Sequence, residues 1–111
     1  MSVEITDEID LVSESKKNGT VNLIISDHLP WEDIGTHLVI LQRKIERYLV
    51  FIRSGEILTL SPFSKDKPKV IQIYFMIEPP TGTATKFLSE MKRSMKRAGV
   101  GLEWGVFDGA I

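Results

Sequence analysis

The segment Val70–Ile77 restricts the fold more than any other part of this 111-residue chain. Every second residue from Ile71 to Ile77 is apolar, while the residues between them form a mixed face. A strand with one wholly apolar face needs cover on that face, and Glu78-Pro79-Pro80 ends the run. The sequence therefore predicts a central strand in a sheet that is packed against helices.

Two segments around this strand have the spacing of amphipathic helices. The first begins at a cap, Asp33 or Thr36, and runs to about Arg53, and the second runs from about Gly82 to Ala98. Apolar residues recur at three- and four-residue spacing in both: Leu38, Leu41, Ile45, Tyr48, Leu49 and Ile52 in the first, and Ala84, Phe87, Leu88, Met91 and Met95 in the second. We expect both stripes to face the sheet.

The other strands complete the predicted fold. A hairpin around Asn18-Gly19 joins Ile9–Ser13 to Val21–Ser26, and Val100–Val106 alternates as the last strand. Residues 56–69 are rich in turns, with a short extended piece at Ile57–Leu60. The prediction is an α+β two-layer sandwich of ββαβαβ order, with a mixed four-stranded sheet and two helices. Residues 1–111 form one domain, in which residues 1–8 and 107–111 are expected to be mobile.

Composition excludes several functional classes. The formal net charge of −1 gives no overall attraction to nucleic acid or to an anionic membrane. The chain has no cysteine, which removes disulfides, thiol catalysis and thiolate metal sites. No apolar run approaches the roughly twenty residues that span a bilayer, and the acidic start is unlike a secretory signal. We expect a cytoplasmic protein that has no cofactor and does not bind a membrane.

The stretch Ser26-Asp27-His28-Leu29-Pro30-Trp31 continues into a helix that ends at Ser54-Gly55-Glu56, with His37-Leu38, Leu41–Ile45, Tyr48-Leu49 and Phe51-Ile52 between them. This pattern resembles an uncharacterised family of small bacterial proteins that share an Asp-His-Leu-x-Trp turn before a helix ending in Ser-Gly-Glu. The resemblance covers most of the chain from Ile9 onward and is specific over residues 26–56. It implies a bacterial origin, and it supplies no activity, substrate or site.

The turn carries the residues with the richest chemistry. Because the chain has no thiolate ligand, Asp27, His28 and His37 are the only residues that could begin a metal site or an acid–base site. Their spacing matches no known metal-binding motif. The alternative is that Asp27 caps backbone N–H groups and the histidines bond nearby carbonyls. Trp31 is either an anchor for a partner or a plug under the helix. We take these four residues and Tyr48 as a hypothetical binding site, and assign no catalytic residue and no metal ligand.

The outer side of the first helix is the candidate interface. Ile40, Val50 and Phe51 lie away from the main stripe and are interrupted by Arg43 and Arg47. They are buried either by the second helix, by the loop that follows the first helix, or by another chain, which would make a partner or homo-oligomer surface.

Charge is segregated along the chain, with basic residues over 86–97 and acidic residues near the start. A basic helix contacts phosphates in some proteins, but no nucleic-acid reading motif accompanies it, so nucleic-acid binding is the third hypothesis. The leading hypothesis is a protein-interaction module, of an immunity-like or accessory kind, with an unknown partner. A small enzyme or metal-binding protein that uses Asp27, His28 and His37 is the alternative.

Overall fold

A computed structural model describes residues 9, 11–15, 17 and 19–107. The elements are β1 (Leu11–Ser15), β2 (Thr20–Asp27), α1 (Ile34–Arg53), α2 (Glu56–Leu60), a 3-10 turn (Pro62–Ser64), β3 (Lys69–Phe75), α3 (Thr83–Arg97) and β4 (Val100–Val106). The predicted α+β order is confirmed, with one short helix added. The expected mobility of residues 1–8 and 107–111 lies outside the described residues, except at Phe107.

The sheet is mixed, as the sequence predicts, and its strands lie in the order β1-β2-β3-β4. Strands β1 and β2 are antiparallel, whereas β2, β3 and β4 are parallel to one another. The register places Asp27 beside Phe75, and Phe75 beside Val106. All three parallel strands therefore end at the same edge of the sheet, where open α/β sheets commonly hold their functional groups.

One face of the sheet and both long helices share a single core. The buried members are Val21, Leu23, Ile25, Ile71, Ile73, Phe75, Val100 and Leu102 from the sheet, Leu41, Ile45, Tyr48 and Phe51 from α1, Ile57 from α2, and Leu88 and Met95 from α3. The other face of the sheet has no helix over it among the described elements, and it carries polar residues such as Asn22, Gln72 and Glu103. The protein is therefore a two-layer sandwich.

None of the helices in the described part of the chain is long and apolar enough to span a membrane.

The buried side of α1 is rotated from the predicted stripe. Leu41, Ile45 and Tyr48 are buried as predicted, but Leu38, Leu49 and Ile52 are only half-buried, and His37, Lys44 and Phe51 are buried in their place. The Lys44 ammonium lies 5.6 Å from the centroid of the Tyr48 ring, which is within cation–π range. Apolar periodicity alone misses this rotation, because two of the residues that shift inward are polar.

The segment after α1 is helical, so the expected extended piece at Ile57–Leu60 is wrong. Gly55 adopts a left-handed conformation with φ of 85°, which ends α1 and lets the chain turn into α2 at little steric cost. Ile57 is 1% exposed and anchors the short helix on the core. Burial of this one side chain explains why a turn-rich sequence forms a helical turn here.

Candidate functional site

The turn after β2 begins with a buried carboxylate. Alternation along β2 places Asp27 on the core face, where it is 1% exposed. Its Oδ1 accepts a hydrogen bond of 3.0 Å from the backbone N–H of Leu29, which closes an Asx-type turn. The second carboxylate oxygen points toward the first turn of α1.

Asp33 fixes the start of α1. The backbone N–H of Thr36 donates to its Oδ1 at 3.1 Å, and the Thr36 hydroxyl donates to its Oδ2 at 2.8 Å. These two bonds lower the pKa of Asp33 below its ordinary value of 3.8. The cap determines where the helix starts, and thereby places His37 one turn inside it on the core side.

His37 joins the helix to the turn through both of its ring nitrogens. Nε2 lies 2.5 Å from Oδ2 of Asp27, and Nδ1 lies 3.1 Å from the carbonyl oxygen of Pro30. The imidazole is almost entirely buried, with 3% of the residue exposed. The bond between Asp27 and His37 thus connects the end of β2 to the first turns of α1.

Donor and acceptor chemistry limits the protons on this pair. The Pro30 carbonyl can only accept, so Nδ1 of His37 carries a hydrogen. An ionised Asp27 can also only accept, so Nε2 then carries a second hydrogen. The pair is therefore an imidazolium with a carboxylate, or a neutral ring with a protonated carboxyl. In either state both ring nitrogens are occupied, so His37 offers no lone pair to a metal or to a substrate proton.

Trp31 covers the pair. Its ring stacks on His37 with a centroid separation of 3.6 Å and an angle of 16°, and it tilts against Phe75 at 5.7 Å. The indole N–H donates a bond of 3.0 Å to the carbonyl oxygen of Ile77, just beyond β3. The cluster of Asp27, His37 and Trp31, which we call the turn cluster, links the ends of β2 and β3.

The other two residues of the hypothetical binding site lie apart from the turn cluster. His28 is exposed at the turn. Tyr48 is buried in the core three helical turns along α1 from His37, and its hydroxyl donates a bond of 2.7 Å to the carbonyl of Ile24. The structure therefore brings together three of the five residues that the sequence singles out.

The candidate interface on α1 is divided in the same way. Phe51 is buried with 5% exposure, Ile40 is half-buried, and Val50 is 48% exposed. Arg43 is exposed, and Nη2 of Arg47 lies 3.4 Å from the Glu56 carboxylate. Phe51 is therefore buried within the chain and not by another chain, which is one of the two alternatives that the sequence leaves open.

A cleft lies beside the turn cluster. It has a volume of about 210 Å³ and is lined by Leu29, Pro30, Glu32, Asp33, Thr36, His37 and Ile40, a set that we call the turn cleft. Its apolar walls come from Leu29, Pro30 and Ile40, and its rim carries two exposed carboxylates. Sequence reasoning identified His37 and Ile40 but missed the rim, for which the adjacent acidic pair Glu32-Asp33 beside a proline turn was the available signal.

Within the described residues, no three or more His, Cys, Asp or Glu side chains are grouped closely enough to hold a metal ion. The turn cluster is held together by its own hydrogen bonds and ring contacts, and it borders the turn cleft.

Neither the curated proteins nor the solved structures give a significant match. One family model matches residues 1–108, that of the family of unknown function DUF6572. Because this match covers nearly the whole chain, the protein belongs to DUF6572, a family of unknown function.

Proposed function

We propose that this protein is a protein-interaction module whose turn cleft receives an apolar side chain of a partner, flanked by basic residues. The observation that carries the proposal is a cleft of about 210 Å³ whose inner wall rests on the buried bond between Asp27 and His37. Drug-sized ligands need pockets of roughly 300 to 1,000 Å³. The cleft is smaller than that range and suits one side chain better than a whole metabolite.

Rigidity of the wall favours binding. His37 is held by two hydrogen bonds and by the stacked ring of Trp31, so the wall keeps its shape when the cleft is empty. A surface that is already ordered loses little conformational entropy on association. An apolar side chain that enters beside Leu29 and Ile40 therefore loses little of its burial free energy to ordering of the cleft wall.

The negative charge at the rim of the cleft determines which partner residues lie next to the inserted side chain. Glu32 and Asp33 are exposed, and exposed carboxyl groups are ionised at neutral pH. Two carboxylates at the mouth of an apolar cleft attract lysine or arginine next to the inserted residue. The same geometry weighs against acid–base catalysis, since neither nitrogen of His37 faces the cleft with a free lone pair.

Peptide display tests the proposal. Random peptides are selected in parallel on the wild type, on Glu32→Lys and on Glu90→Lys, a control with the same charge reversal at an exposed position of α3. We expect the wild type and the control to enrich peptides with an apolar residue beside lysine or arginine, and Glu32→Lys to lose them. Far-UV circular dichroism verifies that all three proteins fold.

Two results would refute the proposal. One is the absence of any enriched sequence on the wild type, and the other is an identical set of enriched sequences on all three proteins.

A second pair of variants separates the cleft from general surface effects. Ile40→Asn changes a cleft wall and is expected to abolish binding of the enriched peptides, whereas Val39→Asn changes an exposed neighbour, 48% accessible and outside the cleft, and is expected to retain it.

A further inference from the structure

Strand β4 forms one edge of the sheet, and it pairs only with β3 among the described residues. The backbone N–H of Phe107 donates to the carbonyl of Phe75 at 2.8 Å. The backbone N–H and C=O groups of the odd-numbered residues of β4 therefore point toward β3. Because N–H and C=O groups alternate sides along a strand, those of the even-numbered residues point outward. The outward set is Val100, Leu102, Trp104 and Val106. These groups present the hydrogen-bonding pattern that an added strand requires.

A second cavity lies along this edge. It has a volume of about 360 Å³ and is lined by Gln72, Lys92, Glu103 and Trp104. The Lys92 ammonium lies 5.7 Å from the centroid of the Trp104 ring, on the helix side of the strand. Gln72 and Glu103 are neighbours on the other face of the sheet. A chain laid along β4 would therefore contact side chains on both faces.

Charge determines which chain fits. Helix α3 carries five basic residues, all exposed, and one acidic residue, Glu90. Lys96 lies one turn beyond Lys92 on the same side of the helix, so the helix side of the β4 edge is positive. Side-by-side pairing of two copies through β4 would place two basic helices next to each other, and this repulsion disfavours self-association.

We propose that the outer edge of β4 binds an extended segment of a partner protein whose alternate side chains are acidic. Successive side chains of an added strand point to opposite faces, so the acidic ones lie near Lys92 and Lys96 while the neutral ones lie near Glu103. Main-chain hydrogen bonds supply sequence-independent affinity, and the two faces supply selectivity. The edge is a separate surface from the turn cleft, and the proposal does not depend on the cleft.

Fluorescence anisotropy with a labelled synthetic peptide tests the edge. The probe alternates glutamate with threonine, and the comparison peptide has lysine in place of glutamate. We expect the wild type to bind the glutamate peptide and not the lysine peptide. Lys92→Gln is expected to weaken binding severalfold, whereas Lys86→Gln, which removes an equal charge from a different side of α3, is expected to leave it unchanged.

Proline distinguishes strand addition from simple charge attraction. Val106 is 51% exposed and its N–H points outward, so Val106→Pro removes one donor from the open edge without removing a bond to β3. We expect about fivefold weaker peptide binding, the equivalent of one net hydrogen bond, while Val106→Thr binds as the wild type does. Thermal unfolding of both variants verifies the fold.

Three outcomes would overturn the proposal. The first is no binding of the glutamate peptide to the wild type, and the second is equal binding by Val106→Pro and Val106→Thr. The third is binding of a single-stranded oligonucleotide that depends on Lys92 but not on the Val106 N–H, in the absence of peptide binding. That result would assign the basic side of α3 to nucleic acid instead of protein. None of these measurements involves Glu32 or Ile40, so failure here leaves the turn cleft untouched.

Discussion

Replacement of His37 by phenylalanine is expected to lower the free energy of unfolding by about 3 to 5 kcal/mol. Phenylalanine keeps an aromatic ring against Trp31, whose centroid lies 3.6 Å from that of His37, so packing changes little. What is lost is the partner of the Asp27 carboxylate, a group that is only 1% exposed. In either protonation state, the buried Asp27 carboxyl group loses the partner of its Oδ2, and a buried polar group without its partner is among the most costly single defects in a core.

A second substitution shows whether the isolated charge is the cause. Asp27→Asn removes the charge, while the amide oxygen can still accept from the backbone N–H of Leu29. The double variant Asp27→Asn with His37→Phe is therefore expected to be more stable than His37→Phe alone, by at least about 1 kcal/mol. Rescue by a second change in the same contact is not expected if His37→Phe acts through altered packing.

Urea unfolding followed by far-UV circular dichroism measures all four members of this cycle. A domain of this size has a stability of roughly 5 to 15 kcal/mol, and a wild type in the middle of this range leaves the single variant with a folded baseline. His28→Phe is the matched control at the only other histidine, which is exposed, and it is expected to cost clearly less stability than His37→Phe. A cost below about 1 kcal/mol for His37→Phe, or a double variant less stable than the single one, would refute the reasoning.

Two further predictions follow from the hydrogen bonds of α1. Asp33→Ala removes the helix cap and is expected to lower the urea midpoint at pH 7. Because the pKa of Asp33 is lower in the folded state than its ordinary 3.8, its ionised form stabilises the fold fully above that value, and the difference from wild type should shrink as the pH falls below it; a constant difference would contradict this sign. Tyr48→Phe removes the donor to the Ile24 carbonyl and is expected to cost about 1 kcal/mol in urea unfolding, and an unchanged midpoint would count against that bond.

The order of the elements was predictable because each long element carries its own local signal. The central strand was expected at Val70–Ile77 and is found at Lys69–Phe75, and the first helix was expected to end at Arg53 and does. Alternation, helical periodicity and glycine after a helix are properties of neighbouring residues, so one sequence displays them. The helix at Glu56–Leu60 has no such signal, since it depends on Ile57 reaching the core.

The candidate site was predictable in part for a related reason. Asp27, Trp31 and His37 were identified as chemically rich residues, but their arrangement depends on contacts between the end of β2 and the first turn of α1. His37 lies outside the predicted apolar stripe of α1, and its bond to the Asp27 carboxyl group holds it on the buried side of the helix. Phe51 moves inward by the same rotation of α1. Partners that are distant in sequence determine such rotations, and periodicity contains no information about them.

The bond from the Trp31 indole to the Ile77 carbonyl has a consequence for local opening. The chain that leaves β2 and the chain that leaves β3 are joined there, so the opening of either one breaks this bond. Amide hydrogens of the turn should then exchange together with those at the end of β3, as one cooperative unit. If the turn cleft binds a partner as we propose, we expect its association rate to be set by collision and charge, and not by a loop that must first rearrange.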